Sequence, residues 1–370
     1  MPAETDIVIA CSYLHVPGGY EKAMITTANL FAGKGHKVTL LVLDYTAQTY
    51  YPVDPAVQIV HLPVNFGITS EGNTISRKLR LWSDTRKLVR VLKQLKPRHL
   101  VCSEYHFAIA ALLGGAAKFT RVYSWEHHHY GSQVMNRFWK FLFRRYYPKL
   151  DAVICLNKDE QQYYLPVNRY AVVIPNFIEP PAADKMTDPV LKGFSLLSVT
   201  RFNNIKGIDL LMDVALRILP QHPGLKWKVI GYGEQKDRFL DFIRANGLSG
   251  QLFYQEADKT DLTKDYRDAS VFIMTSRNEC FPLVLLEAMS NGLPCIAFDC
   301  ETGPRHIIRN KETGLLIAKE NIQEMAAAIL SLLQDPASLN RMGRNARESI
   351  GSFFPEKIYP LWEQLFIKTG

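Results

Sequence analysis

The sequence has no apolar run of the roughly 18 residues that a membrane span requires, so it offers no candidate for a membrane-crossing helix. It has no C-x-x-C pair either. Its six cysteines, Cys11, Cys102, Cys155, Cys280, Cys295 and Cys300, are scattered, mostly in apolar strand-like runs. That distribution argues against a disulfide framework or a cysteine zinc site and predicts buried reduced thiols. The N-terminal stretch MPAETDIVIACSY carries charges where a signal peptide has its apolar core. The expected location is therefore the cytoplasm, with peripheral attachment to the cytoplasmic face of the inner membrane left open. There is no short repeat, no low-complexity segment and no nucleic-acid recognition motif.

What is present is an ordinary globular composition over 370 residues, more than one core usually serves. Net charge is +8 and uneven: residues 1–180 hold 21 Lys and Arg against 13 Asp and Glu, whereas residues 181–370 hold 23 of each. Residues 77–98 carry nine basic side chains and a single acid, Asp84. Such a run is either a solvated helix face or an attraction for an anionic membrane or a phosphate-bearing acceptor. Residues 136–149, NRFWKFLFRRYYPK, mix aromatic and basic residues and leave the same two readings open.

Apolar β-branched runs at residues 6–11, 37–43, 99–103, 121–125, 151–156 and 171–175 alternate with helical patterns at 21–34, 77–95 and 135–147. A polar, proline-rich linker is expected at 179–189. The alternation then restarts, with strands at 194–199, 226–232, 270–275, 294–298 and 314–317 and helices at 208–219 and 235–246. This is an α/β pattern with two doubly wound, Rossmann-like domains. Ligands of such sheets bind beyond the carboxyl ends of the strands, so chemistry is sought in the loops that follow them.

The most informative segment is residues 275–299, TSRNECFPLVLLEAMSNGLPCIAFD. A strand ends near Thr275. Glu279 stands in the loop, Pro282 at the expected first helical position, Glu287 about one and a half turns inside, and Gly292 beyond the helix end. A helix N-terminus offers unpaired N–H groups and the positive end of a dipole, which suits a pyrophosphate. The flanking carboxylates suit sugar hydroxyls. Two glutamates alone mean little; a capping acid and a structural acid give the same spacing. Pro17–Glu21, PGGYE, follows the first strand, and its glycines allow close backbone approach or merely a tight turn. Trp125–Tyr130, WEHHHY, follows another strand. Consecutive histidines converge poorly on one ion and no acid or thiol is spaced to complete a site, so no metal is expected.

The 275–299 string resembles the signature of family 4 glycosyltransferases, retaining enzymes of the two-Rossmann-domain fold called GT-B. Residues 198–207 (SVTRFNNIKG), 230–234 (IGYGE), 174–178 (IPNFI) and 18–38 resemble further elements of that family. The resemblance implies that Glu287 binds the ribose and Glu279 the transferred sugar. It implies that the N–H groups of Phe281 and Leu283 face the phosphates or sugar, and that Arg201 and Lys206 neutralise the donor diphosphate. Gly231 would line the nucleotide cleft, Gly18 and Gly19 would approach donor phosphate or acceptor, and His127 would lie near the transferred sugar. Glu126 would orient that site; His128, His129 and His306 have no assigned role.

The implied reaction is transfer of a hexose or N-acetylhexosamine from a nucleotide-sugar, most commonly UDP-linked in the bacterial members, by same-face substitution without metal or other cofactor. The acceptor is a saccharide or lipid-linked saccharide, as in lipopolysaccharide synthesis, and the basic first half leaves peripheral contact with an anionic membrane open. The expected domains are 1–178 plus 353–370, holding the acceptor, and 179–352, holding the nucleotide-sugar. The sequence departs from the family pattern at Cys280 and Thr200, which replace glycines, and at Thr302-Gly303-Pro304-Arg305-His306, where Gly-Gly-x-x-Glu is usual. A nucleotide-sugar 2-epimerase on the same fold, and a non-catalytic sugar-phosphate-binding protein, are the alternatives.

Overall fold

A computed structural model describes residues 6–46, 48–68, 74–132, 135–180, 195–258 and 261–369. The chain forms two compact units, residues 1–175 with 359–370, and residues 176–358. The division falls three residues before the expected first boundary and six after the second. Most of the expected linker, residues 181–189, lies outside the described residues.

In the first unit the elements run β1 (Ile7–Cys11), α1 (Gly19–Gly33), β2 (Val38–Val42), β3 (Gln58–His61), α2 (Thr74–Leu95), β4 (His99–Cys102), α3 (Tyr105–Leu113), β5 (Arg121–Glu126), α4 (Arg137–Tyr146), β6 (Ala152–Cys155), α5 (Lys158–Tyr164) and β7 (Ala171–Val173). Among the described residues its sheet has seven strands, in the order β3-β2-β1-β4-β5-β6-β7, all parallel. β1 is buried throughout, because helices cover both faces and leave no polar side to the strand.

The second unit runs β8 (Ser195–Arg201), α6 (Ile208–Ile218), β9 (Lys226–Tyr232), α7 (Lys236–Ala245), β10 (Leu252–Glu256), α8 (Thr263–Asp268), β11 (Val271–Met274), α9 (Leu283–Ser290), β12 (Cys295–Asp299), β13 (Gly314–Ala318), α10 (Ile322–Leu333) and α11 (Pro336–Ser349). Its parallel strands lie in the order β10-β9-β8-β11-β12-β13. Strand order reverses between β1 and β4 in one sheet and between β8 and β11 in the other. These are the switch points at which doubly wound sheets open a crevice. The loops carrying most of the expected site residues leave from these strands.

The last helix, α12 (Pro355–Thr369), begins in the second unit and ends in the first. There Trp362 packs edge-on against Trp125 and Phe31, and Phe366 stacks on His99 at 4.3 Å. All six cysteines are free and buried, and burial pushes the Cys11, Cys102, Cys155, Cys295 and Cys300 thiols up, Cys300 to about 12. Among the described residues no helix is long and apolar enough to cross a membrane.

Candidate active site

In the second unit the site is built from the loops after β8 and β11. Gly207 holds the first loop down. Its φ of +64° is left-handed, and an added Cβ would lie 2.2 Å from the Thr275 carbonyl oxygen, so only glycine fits. Thr275 Oγ1 donates back to the Gly207 carbonyl at 3.0 Å. Arg277 adds a bidentate pair to Asp209, at 2.7 and 2.6 Å. These ties fix Lys206 opposite the β11 loop. Its Nζ donates to Glu279 Oε1 at 2.6 Å, and Ser276 Oγ donates to the same oxygen at 2.7 Å. Both donors use one oxygen, so Oε2 remains as the carboxylate's other acceptor.

The backbone of Glu279 is held from beneath by the loop after β12. Thr302 Oγ1 donates to the Glu279 carbonyl at 2.7 Å, and a Cβ on Gly303 would come within 2.9 Å of that oxygen. This accounts for the Thr-Gly at a place where the sequence departs from the family pattern. Cys280 is buried and fits its loop. His306 lies in a short 3₁₀ turn after Gly303.

Pro282 is the N-cap of α9 rather than its first residue; the helix begins one position later, at Leu283. Proline has no side-chain acceptor, and the cap makes no side-chain hydrogen bond. The first-turn N–H groups of α9 are thus without a side-chain cap, as an anion site requires. Phe281 and Leu283 are buried, Phe281 against Phe353. Glu287 is half-buried, and Tyr266 Oη donates to its Oε2 at 2.7 Å. Gly292, at φ +78°, closes the helix as expected. Arg201, the last residue of β8, places its guanidinium over the Tyr232 ring at 5.4 Å. Gly231 has a packing reason: a Cβ there would stand 1.8 Å from the Thr200 carbonyl oxygen and 2.8 Å from the Phe202 ring.

In the first unit, Gly18 is the extended N-cap of α1 and Gly19 its exposed first residue. The loops after β1 and β4 are stitched together by side chains. Ser103 Oγ donates to Ala10 O, Tyr20 Oη bonds to Ser103 Oγ at 2.5 Å, and the Ser12 N–H donates to Tyr20 Oη at 3.1 Å. Ser12 Oγ donates to Glu104 Oε1 at 2.6 Å, and His106 Nδ1 lies 3.4 Å from Oε2. Burial works to raise the Glu104 pKa, but the bonds from His106 and Ser12, with the charges of His106 and His128, hold it below the usual carboxylate range.

His127 lies edge-on to Tyr20 at 5.4 Å and to Trp125 at 4.3 Å. Burial, then the charge of His128, holds it well below the ordinary histidine range, so it is a neutral imidazole. Its Nε2 is buried without a hydrogen-bond partner among the described residues.

One neighbour corrects the sequence reading and another gains an explanation. Glu126 does not orient this site; it points into the core and accepts from Ser124, Tyr147 and Tyr164. His129 pairs with the buried Glu160 at 2.5 Å, a structural contact. Among the described residues no cluster could hold a metal. Ser276, Tyr266, Ser12 and His106 escaped the sequence reading; Ser12 is the first residue after β1 and Ser276 the second after β11, which is the signal that finds them.

Two family models match this chain: Glycosyltransferase Family 4 over residues 17–180 and Glycosyl transferases group 1 over residues 184–349. The chain belongs to these glycosyltransferases. The glycosyltransferase relatives it resembles over 94% of its length include an uncharacterized glycosyltransferase of Haemophilus influenzae, 24% identical over 95% of that protein. Another is the amylovoran biosynthesis glycosyltransferase AmsD of Erwinia amylovora, 26% identical over 95% of its length. A Streptomyces coelicolor exopolysaccharide phosphotransferase is 28% identical, and there the chain spans only 39% of the relative. Among solved structures, a Staphylococcus aureus TarM variant in complex with fondaparinux, alpha-GlcNAc-glycerol and UDP matches with a TM-score of 0.80 at 17% identity, covering 98% of this chain and 99% of that one. Sucrose-phosphate synthase of Thermosynechococcus elongatus matches at 0.79 and 18%, covering 98% and 100%. The fold of this glycosyltransferase is GT-B.

Proposed function

We propose that the chain is a retaining glycosyltransferase that moves a hexose or N-acetylhexosamine from a UDP-sugar to a saccharide or lipid-linked saccharide, without metal or other cofactor, at a cytoplasmic membrane surface. The observation that carries this reading is Glu279, whose Oε1 is occupied by Lys206 and Ser276 while Oε2 is left for a donor hydroxyl. The same lysine ammonium, Arg201 and the N–H groups at Phe281 and Leu283 supply positive charge for a diphosphate. Glu287, steadied by Tyr266, takes the ribose hydroxyls. Gly231 keeps the neighbouring wall thin. Gly18, Gly19, Glu104 and the neutral His127 form the polar surface of the first unit on which the transferred sugar and the acceptor rest. The UDP assignment is supported by the TarM complex named above and by Anabaena HepE, whose structure was solved with UDP.

In the reaction the bond between the anomeric carbon and the UDP oxygen breaks, and UDP leaves with the electron pair. The acceptor oxygen bonds to the same face, and its proton passes to the departing phosphate. Glu279 is tied to Lys206 and serves as a positioning carboxylate rather than a nucleophile. A panel of UDP-, GDP- and ADP-sugars, with and without saccharide acceptors, tests this. UDP release with an α-linked product from an α-linked donor is expected. Release of GDP or ADP alone overturns the donor, inversion overturns the mechanism, and a 2-epimer formed from donor alone overturns the transferase.

A further inference from the structure

Helix α2 carries two kinds of side chain on one exposed stripe. At 100° per residue, Ile75, Leu79, Trp82, Arg86, Arg90 and Lys93 fall on a common face. Its first half is apolar and open: Ile75 is 68% exposed, Leu79 66% and Trp82 51%. Its second half is cationic. Neither Arg86, Arg90 nor Lys93 has an ion-pair partner among the described residues. The one acid of the run, Asp84, is turned inward and accepts the N–H groups of Asn65 and Phe66.

Beside this stripe lies a second. Helix α4 presents Phe141, 64% exposed, and Phe138, over whose ring Lys78 of α2 sits at 5.7 Å. Arg137, Lys140, Arg144 and Arg145 are exposed around them. In water such a display is costly for the apolar groups and unshielded for the cations.

Between α2 and the end of α3 there is a pocket of about 550 Å³, lined by Trp82, Thr85, Arg86, Arg90 and Lys93 and floored by Leu113 and Gly114. Three cations around one hollow are a recognition set for a phosphate oxygen. A tryptophan at the rim and apolar residues one to two turns away match the layer that lies just below a lipid phosphate.

We propose that α2 and α4 form a docking surface for an anionic bilayer. Ile75, Leu79, Trp82, Phe138 and Phe141 enter the acyl boundary, and Arg86, Arg90 and Lys93 hold the phosphate of an anionic lipid. Charge complementarity selects a bilayer carrying phosphatidylglycerol-type head groups over a zwitterionic one. The open apolar stripe selects a bilayer over a soluble polyanion. The proposal rests on the membrane contact suggested above but not on the transfer reaction, and its test reads binding separately from turnover.

The experiment is flotation of the full chain with vesicles of phosphatidylcholine alone and of phosphatidylcholine with phosphatidylglycerol. The parent is expected to float with the anionic vesicles and not with the neutral ones. Leu79→Ser with Trp82→Ser, and separately Arg86→Glu with Arg90→Glu, are each expected to weaken binding at least about tenfold. Every changed side chain is exposed, so thermal melting followed by circular dichroism, and UDP release without acceptor, should match the parent. Equal flotation with both vesicles, or none with either, overturns the proposal. So does unchanged binding by the Leu79 and Trp82 variant, which would mark a general polyanion surface. A particle mass that halves in that variant, without vesicle binding by the parent, would mark an interface between copies and overturn it too.

Discussion

Lys206 and Glu279 form a pair in which neither member is spare. The lysine holds the carboxylate in place, and the carboxylate holds the ammonium in turn. In the proposed reaction, replacing Lys206 by alanine would remove a charge whose contact strengthens as the diphosphate leaves. kcat is expected to fall about 10²- to 10³-fold in a UDP-release assay, with thermal stability nearly unchanged. Ser276→Ala removes only a neutral donor to the same oxygen and is expected to cost about tenfold. Glu104 is the corresponding carboxylate on the first unit, and it is held ionised by Ser12 and His106. Glu104→Gln is expected to raise the acceptor KM about tenfold or more while donor hydrolysis in the absence of acceptor stays at the parent rate. Equal loss of both activities would show that Glu104 supports the fold instead.

At the scale of elements, β4 and α12 meet through the stack of His99 on Phe366. Burial, with the neighbouring charges of Arg98 and His36, lowers the His99 pKa to about 4. In the unfolded chain it is about 6.5. Between those values the unfolded state takes up a proton that the folded state refuses, so stability rises with pH. The contribution is complete above about pH 6.5 and is lost as pH falls towards 4. The melting temperature of the parent is expected to drop more between pH 7 and pH 5 than that of His99→Gln. His127, shifted in the same direction, contributes the slope that remains.

Most elements were legible because apolar runs in a parallel sheet are continuous and turn residues bound them. β3 and β10 were not. Both are edge strands, partly exposed, and lack an unbroken apolar run. α3 is so evenly buried that its sequence has no periodic face. The Glu279 loop was legible through Pro282 and Gly292. The partnership of Tyr266 with Glu287, which joins two helices, and the burial of Glu126 had no local signal at all.

At the scale of the whole molecule, the excess positive charge of residues 1–180 is placed on α2 and α4, while the groups proposed to bind the diphosphate belong to a unit with balanced charge. In the proposed reaction Lys206 and Arg201 would supply the positive charge that a divalent cation supplies in other transferases. UDP release is therefore expected to be unchanged by EDTA and by subsequent addition of Mg²⁺ or Mn²⁺; a metal-restored activity would contradict that division of roles. The route of α12 has a different consequence, in the order of synthesis. Phe31, Trp125 and His99 are made early, but the Trp362 and Phe366 that cover them are made after all of the second unit. At ~5–20 residues per second, roughly ten to seventy seconds separate the two. For that interval the first unit stands on the ribosome with an unroofed aromatic face, so a chain arrested before residue 359 should be a chaperone client however well its second unit has folded.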